Sequence, residues 1–283
     1  MGQTRSGVGV PVRNAKGAPM NALFSAELLK LQRQPGVLFW GFLSVPAAAL
    51  AFKVALESFF FLRSGNFPQG HADTLLSAAQ SLGIAGNPIA QLLYAIGISS
   101  VFFIEYRFST WRNLVPRAGR IPLLAAKFAV CLLCMVIGLV LTIVGDMILN
   151  TALSFLGGGT SSKTPIHASG IFVLSAAFVI AFLELASLAA IVATLTIIFR
   201  SMIAAVIPVF LVGITCSILQ AYFGAAIANL PMPSIAADTG RAWLFAGAEG
   251  QFGTAGFGTL LAWFLAVAVI GSVAFWRQSL STE

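Results

Sequence analysis

Residues 123–149 read LLAAKFAVCLLCMVIGLVLTIVGDMIL, and this one stretch decides the class of the fold. Its 27 residues include only two charged side chains, Lys127 and Asp146. At 1.5 Å per residue a helix of that length reaches about 40 Å, more than the roughly 30 Å hydrocarbon core of a bilayer. The rest of the chain is of the same kind. Of its 283 residues 58% are hydrophobic and only 9% are charged, and the mean hydropathy is +0.93. Soluble domains carry about a quarter charged residues. A chain with so few cannot cover itself against water, which excludes a soluble enzyme and requires much of the surface to face lipid.

Five further apolar runs flank this one, so the expected fold is an all-α membrane protein with six transmembrane helices. Their expected bounds are 37–59, 88–104, 123–149, 170–199, 202–223 and 255–276. Pro35-Gly36 turns the chain into the first span, Pro46 is expected to kink it, and Arg200-Ser201 makes a very tight turn between spans four and five. Ahead of the first span, Leu23, Phe24, Leu28 and Leu31 recur at helical spacing, with Glu27, Lys30 and Arg33 on the other face. That pattern predicts an amphipathic helix lying in the membrane interface. Residues 1–19 are Gly-rich and basic and lack the apolar core of a secretory signal. They are expected to form a disordered cytoplasmic tail, with Met20 an alternative start to Met1, leaving 20–283 as one membrane domain. The connection 224–254 holds Pro231 and Pro233, and a short re-entrant or surface helix is expected there.

The basic residues set the orientation. Arg5, Arg13, Lys16, Lys30, Arg33, Arg107, Arg112, Arg117, Arg120, Lys127, Arg200 and Arg277 all fall on one side of a six-span topology. Arg63, Lys163, Arg241 and Lys53 fall on or near the other. Cytoplasmic loops carry the excess of Lys and Arg, so both termini are expected in the cytoplasm. The formal charge of +7 is spread through short segments between apolar runs, not gathered in one soluble patch, which argues against a nucleic-acid partner.

Candidate chemistry is sparse. Gly157–Thr164, GGGTSSKT, imitates a phosphate-binding loop but has Ser162 where the second glycine belongs. It also has no buried strand before it, so it reads as a solvent loop and the chain has no nucleotide site of its own. Cys131 and Cys134 have C-x-x-C spacing inside an apolar run with no second pair, which suits packing better than metal or redox chemistry. His71 and His167 stand alone in different loops, and no G-x-S-x-G nucleophile elbow occurs. Glu184 is the one acidic residue deep inside a span, a placement costly enough to invite a role in moving protons or meeting substrate. Asp146 is expected at a solvated helix end. Lys53 and Glu57, four apart, are expected to pair with each other or reach the headgroups. Small residues recur along span four, among them Ser175, Ala177, Ala181, Ala186, Ser187 and Ala190, and permit close helix contact.

The loop after span two is the most informative segment. Glu105 closes the helix, and Arg107, Arg112, Arg117 and Arg120 follow among Tyr106, Phe108 and Trp111. In full it runs EYRFSTWRNLVPRAGRIPLLAAK, residues 105–127. This order resembles the permeases of type-2 ATP-binding cassette transporters, the ABC-2 family. Their loop runs from an acidic residue through Gly-Thr-hydrophobic-Arg and Leu to a basic residue just before Leu-Leu-x-x-Lys. Ser109 stands where that glycine is usual, a small-for-small departure. The likeness extends over nearly the whole chain from Met20, including the interfacial helix, which corresponds to the family's elbow helix.

The resemblance implies a permease subunit without catalytic activity, working with a separate ATP-binding cassette ATPase that holds ATP and Mg, and with a second permease copy in a homodimer or heterodimer. It implies a multi-pass protein of the bacterial plasma (inner) membrane, most often an exporter. It places the ATPase-coupling element in the loop after span two, where Trp111, Arg112, Leu114 and Arg117 would make the contact beside Arg120. Glu105 would anchor the loop by pairing with a nearby Arg, and the elbow helix with Glu27, Lys30 and Arg33 would lie alongside. The competing reading is a secondary transporter driven by protons through Glu184.

Overall fold

The computed structural model describes residues 19–65, 74–156, 168–227, 230–246 and 252–278. The N-terminal tail up to residue 18, the segment 157–164, His71 and His167 lie outside the described residues, as do the side chains of Arg112 and Arg117. Ten helices follow in chain order among the described residues: α1 (Met20–Gln32), α2 (Pro35–Ser64), α3 (Thr74–Ser81), α4 (Pro88–Arg107), α5 (Trp111–Ala118), α6 (Arg120–Leu156), α7 (Ala168–Phe199), α8 (Met202–Phe223), α9 (Pro233–Ala246) and α10 (Phe252–Arg277). Six of them, α2, α4, α6, α7, α8 and α10, are long and apolar enough to cross a membrane. The structure is therefore the expected all-α bundle with six membrane-crossing helices.

Local chemistry explains where the helices begin and bend. Asn87 caps α4 by accepting from the backbone N–H groups of Ile89 at 2.9 Å and Ala90 at 3.4 Å, with Pro88 at the first helical position. Ser201 caps α8 by accepting from the Ala204 N–H at 3.4 Å, and Arg200 just before it has a positive φ of 51°. That pairing folds the chain back within two residues. In α2 the turn Phe39–Leu43 is widened to π geometry just ahead of Pro46. Proline has no N–H to give the carbonyl four residues back, so the helix adjusts there and does not break.

Two short helices add what the apolar pattern did not specify. α3 lies in the segment expected to be simply polar, and it buries Ser77, Ala78 and Ala79 against α6 and α7. α9 is the helix expected in the 224–254 connection, and it packs on α7 and α10.

α7 is the centre of the bundle, packing on α3, α4, α6, α8, α9 and α10. Its small residues let neighbours close in, and its hydroxyls bond across the gaps. Ser187 donates to the Leu260 carbonyl at 3.2 Å, Thr194 to the Val267 carbonyl at 3.2 Å, and Thr196 to Ser99 Oγ at 3.1 Å. The outward faces are apolar, with Trp40, Phe52, Phe59, Leu211 and Val269 exposed. In water such a surface would aggregate; in lipid it has no cost.

α2 holds to the bundle where Gly41 meets Gly97 of α4 backbone to backbone, both buried. A Cβ on either glycine would overlap the other residue's main chain. Gly97→Leu is therefore expected to push α2 off α4 and cost about 1–3 kcal/mol of stability, the usual range for overpacking. Thermal unfolding in detergent, followed by loss of the monodisperse chromatographic peak, checks this.

Candidate functional site

Five groups converge where α1, α4, α5 and α6 meet. Lys127, in the second turn of α6, is only 1% exposed, and its ammonium lies 2.5 Å from Glu27 of α1 and 2.8 Å from Glu105 of α4. Lys30 closes the figure at 2.7 Å from Glu27 and 3.1 Å from Glu105. Two carboxylates and two ammoniums form a closed ring of zero net charge. Thr110, in the turn before α5, donates its hydroxyl to Glu105. For Lys30, burial alone would pull the pKa down, but Glu27 and Glu105 outweigh it and hold it above the ordinary lysine value. Lys30 thus stays charged, as the ring requires.

Several expectations are corrected here. Among the described side chains Glu105 is anchored by two lysines, from α6 and α1, where an arginine was expected. Glu27 does not sit on the solvent face of α1; it turns inward to Lys127 and is buried. Arg33 remains exposed as expected. Trp111 is 2% exposed and presents no surface to a partner. Its ring packs 4.7 Å from Phe275 of α10 and 5.8 Å from Tyr106, with the Lys127 ammonium 5.7 Å away over its face. Its indole N–H has no hydrogen-bond partner among the described residues. Arg120 is also turned inward. Its guanidinium donates to the carbonyls of Trp276 at 2.6 Å and Gln278 at 2.8 Å, at the C-terminal end of α10. Those are carbonyls a helix end leaves without intrahelical donors, and a cation there complements the helix dipole.

What remains on the outside of this loop is small and distinctive. Phe108 is 62% exposed, with the Arg107 guanidinium 5.6 Å from its ring centre. Leu114 is half-buried. A notch of about 320 Å³ opens between α1 and α5, lined by Lys30, Gln34, Ile104, Phe108, Thr110 and Leu114 together with Glu105. Sequence reading had not assigned roles to Lys127, Phe108, Phe275 or Gln278. Gln278 accepts from the Tyr106 hydroxyl at 3.0 Å and donates to the Ile197 carbonyl at 3.1 Å, joining the ends of α4, α7 and α10. Lys127 had a visible signal, a charge inside an apolar run; the other three had none.

Ser109 has a positive φ of 52°, the left-handed region that favours glycine. Its replacement of the usual glycine is thus not merely small for small: it imposes a strained backbone at the turn between α4 and α5.

Two more polar clusters lie deeper. Asp146, expected at a solvated end, is buried and pairs with Lys53, while accepting from Ser77 Oγ at 2.9 Å and Asn150 Nδ2 at 2.8 Å. Lys53 therefore does not pair with Glu57. Glu184, 2% exposed, is met by Arg241 of α9 at 2.7 Å and by the Gln91 amide at 3.2 Å, and Arg241 also holds Asp238 at 2.5 Å. Gly86 makes room for this guanidinium, since a Cβ there would overlap it. Cys131, Cys134 and Cys216 are free thiols, all buried. No group of His, Cys, Asp and Glu among the described residues could hold a metal ion.

The arrangement is that of a polytopic membrane protein, with a structured loop locked to α1 at one end of six spans. A family model of the ABC-2 family transporter proteins matches residues 23–217, well over half of the chain, and the chain belongs to that family. The match runs from α1 into α8 and includes the whole ring of charges. The searches of curated proteins and of solved structures returned no match. As a member of that family the chain is a permease, the membrane component of a transporter.

Lys127→Met leaves two carboxylates buried beside one half-exposed lysine, and it is expected to cost about 3–5 kcal/mol, the range for breaking a buried pair. Adding Glu27→Gln should recover part of that loss, with both read as shifts in thermal unfolding. Ser109→Gly removes the strained φ and is expected to stabilise by about 1 kcal/mol. A lower melting temperature in that variant would contradict this account of the turn.

Proposed function

We propose that this chain is the permease of an ATP-driven exporter in the bacterial plasma membrane. The end that carries α1 and α5 faces the cytoplasm and receives a separate ATP-binding cassette ATPase. The observation that carries this reading is the notch between α1 and α5, with exposed Phe108 on its rim and the ring of charges as its base. The orientation rests on the basic residues, twelve on this side against four on or near the other. ATP and Mg are held, and ATP is hydrolysed, in the partner. Two permease copies, identical or not, flank the transport path.

The chain's own residues suit a coupling role. An apolar ring beside arginines offers a partner one buried anchor and charge-assisted bonds to carboxylates. Arg112 and Arg117, on the same short helix, supply the latter. Trp111 acts from inside: a push on α5 is transmitted through its ring to Phe275 of α10, and through Thr110 and Glu105 to α1, α4 and α6. Alternating access then follows from displacement of whole helices, because the ring of charges resists local shearing. The apolar walls favour an amphipathic or lipid-like substrate, or a peptide, over a bare ion.

The proton-driven reading through Glu184 has lost its main support. That carboxylate meets a guanidinium and an amide and does not stand alone in the bundle.

Phe108→Asp combined with Arg112→Glu is expected to weaken ATPase docking by about 2 kcal/mol or more, some thirtyfold in affinity, as for loss of an interface hot spot. The measurement is co-purification of a co-expressed ATP-binding cassette ATPase partner, together with stimulation of its turnover. Full retention of both would remove the coupling assignment. Trp111→Ala is unsuited to this test, because it opens a cavity among α4, α5 and α10.

A further inference from the structure

α8 and α10 both pack extensively on α7, yet they do not pack substantially on each other. Between them lies a cavity of about 530 Å³, inside the range of about 300–1,000 Å³ typical of small-molecule sites. Its back wall is one stripe of α7, from Glu184 through Leu188, Ile191 and Leu195 to Ile198. The fourteen helical rises from Glu184 to Ile198 make that stripe about 21 Å long. The rim residues Val212, midway along α8, and Ile270, in the last third of α10, are both more than half exposed. The cavity therefore opens between α8 and α10 on a face whose flanking side chains are exposed and apolar.

Its two ends differ in chemistry. Towards Ile198 the walls are aliphatic. At the other end stand Glu184 and Gln91, both more than nine-tenths buried. Glu184 accepts from Gln91 Nε2 and from Arg241, while the Gln91 amide oxygen turns towards Gly213 of α8, which also lines the cavity. Arg241 is shared between Glu184 and Asp238, so two carboxylates face one guanidinium. The cluster at this end counts two carboxylates to one guanidinium; of these groups Glu184 lines the cavity together with Gln91, and both offer it acceptor oxygens.

We infer that this cavity is a membrane-accessible binding site for a single-chain amphiphile with a cationic amine head. The chain lies along α7 between α8 and α10, and the head reaches the Glu184–Gln91 end. Lateral opening lets such a molecule enter from the bilayer, so its tail never crosses water. All the residues that line the site come from one copy of the chain, and binding there requires no ATP.

The test uses the full-length permease alone, in nanodiscs, with a dodecylamine probe bearing a diazirine on its chain. Expected is photolabelling concentrated on the α7, α8 and α10 peptides that line the cavity. Excess dodecylamine should suppress it at least fivefold, while dodecyl sulfate and dodecanol should have little effect. Val267→Trp, which fills the slot from α10, should cut labelling at least fivefold with monodispersity retained. Glu184→Gln should abolish the preference for the cationic competitor. Labelling scattered over the whole lipid-facing surface, or equal competition by the sulfate and the alcohol, overturns the inference from the wild-type protein alone. Failure of ATP-driven export would leave this result untouched, because no ATPase is present in the binding experiment.

Discussion

Lys127 brings an amino group into a place almost sealed from solvent, and the end of the protein that carries α1 and α5 is organised around satisfying it. A buried ammonium is tolerated only when opposite charges and hydrogen bonds replace its hydration. Here the replacement comes from two different helices. Glu27 requires α1 to lie against α6, and Glu105 requires the end of α4 to arrive at the same point. Once Glu105 is held, Thr110 and Trp111 are held too, and α5 has one available position. Four elements separated by up to a hundred residues are thereby fixed around one nitrogen atom.

The same rule governs the remaining charges inside the bundle. Lys53 and Asp146 neutralise each other between α2 and α6, and Ser77 and Asn150 supply the hydrogen bonds that water would have made. Glu184 and Arg241 do likewise between α7 and α9. Each pair joins a membrane-crossing helix to another element, so the ion pairs work as positional fasteners where apolar contact alone discriminates little. Lipid is as apolar as leucine, and helices in it are located by close backbone approach and by polar bonds. Gly41 against Gly97 supplies the first of these and the hydroxyls of α7 the second.

This view separates two kinds of polar group that look alike along the chain. Arg107 and Phe108 point outward and are available to a partner. Trp111 and Arg120, in the same basic and aromatic loop, point inward and tie α5 and α6 to the end of α10. A loop of this composition is read naturally as all contact surface. Its inner face instead ties the outer one to the bundle through Phe275 and the carbonyls at the end of α10.

The amino-acid sequence by itself determined the membrane class, the six spans, the helix ahead of the first span and the family, the last through the order of residues 105–127. These depend on composition, on run length and on local order, all of which survive in one dimension. It also marked Glu184 as a buried charge. It did not disclose that Arg241 would reach Glu184, that Asp146 would find Lys53, or that Glu105 would be met by lysines from α6 and α1. Nor did it separate Trp111 from Phe108, or reveal the slot between α8 and α10. Those are matters of which side chains converge after the helices pack, and of which way each faces. A helix carries its residues round a full circle every 3.6 positions, so the neighbours that give a charge its partner are set by tertiary packing and not by distance along the chain.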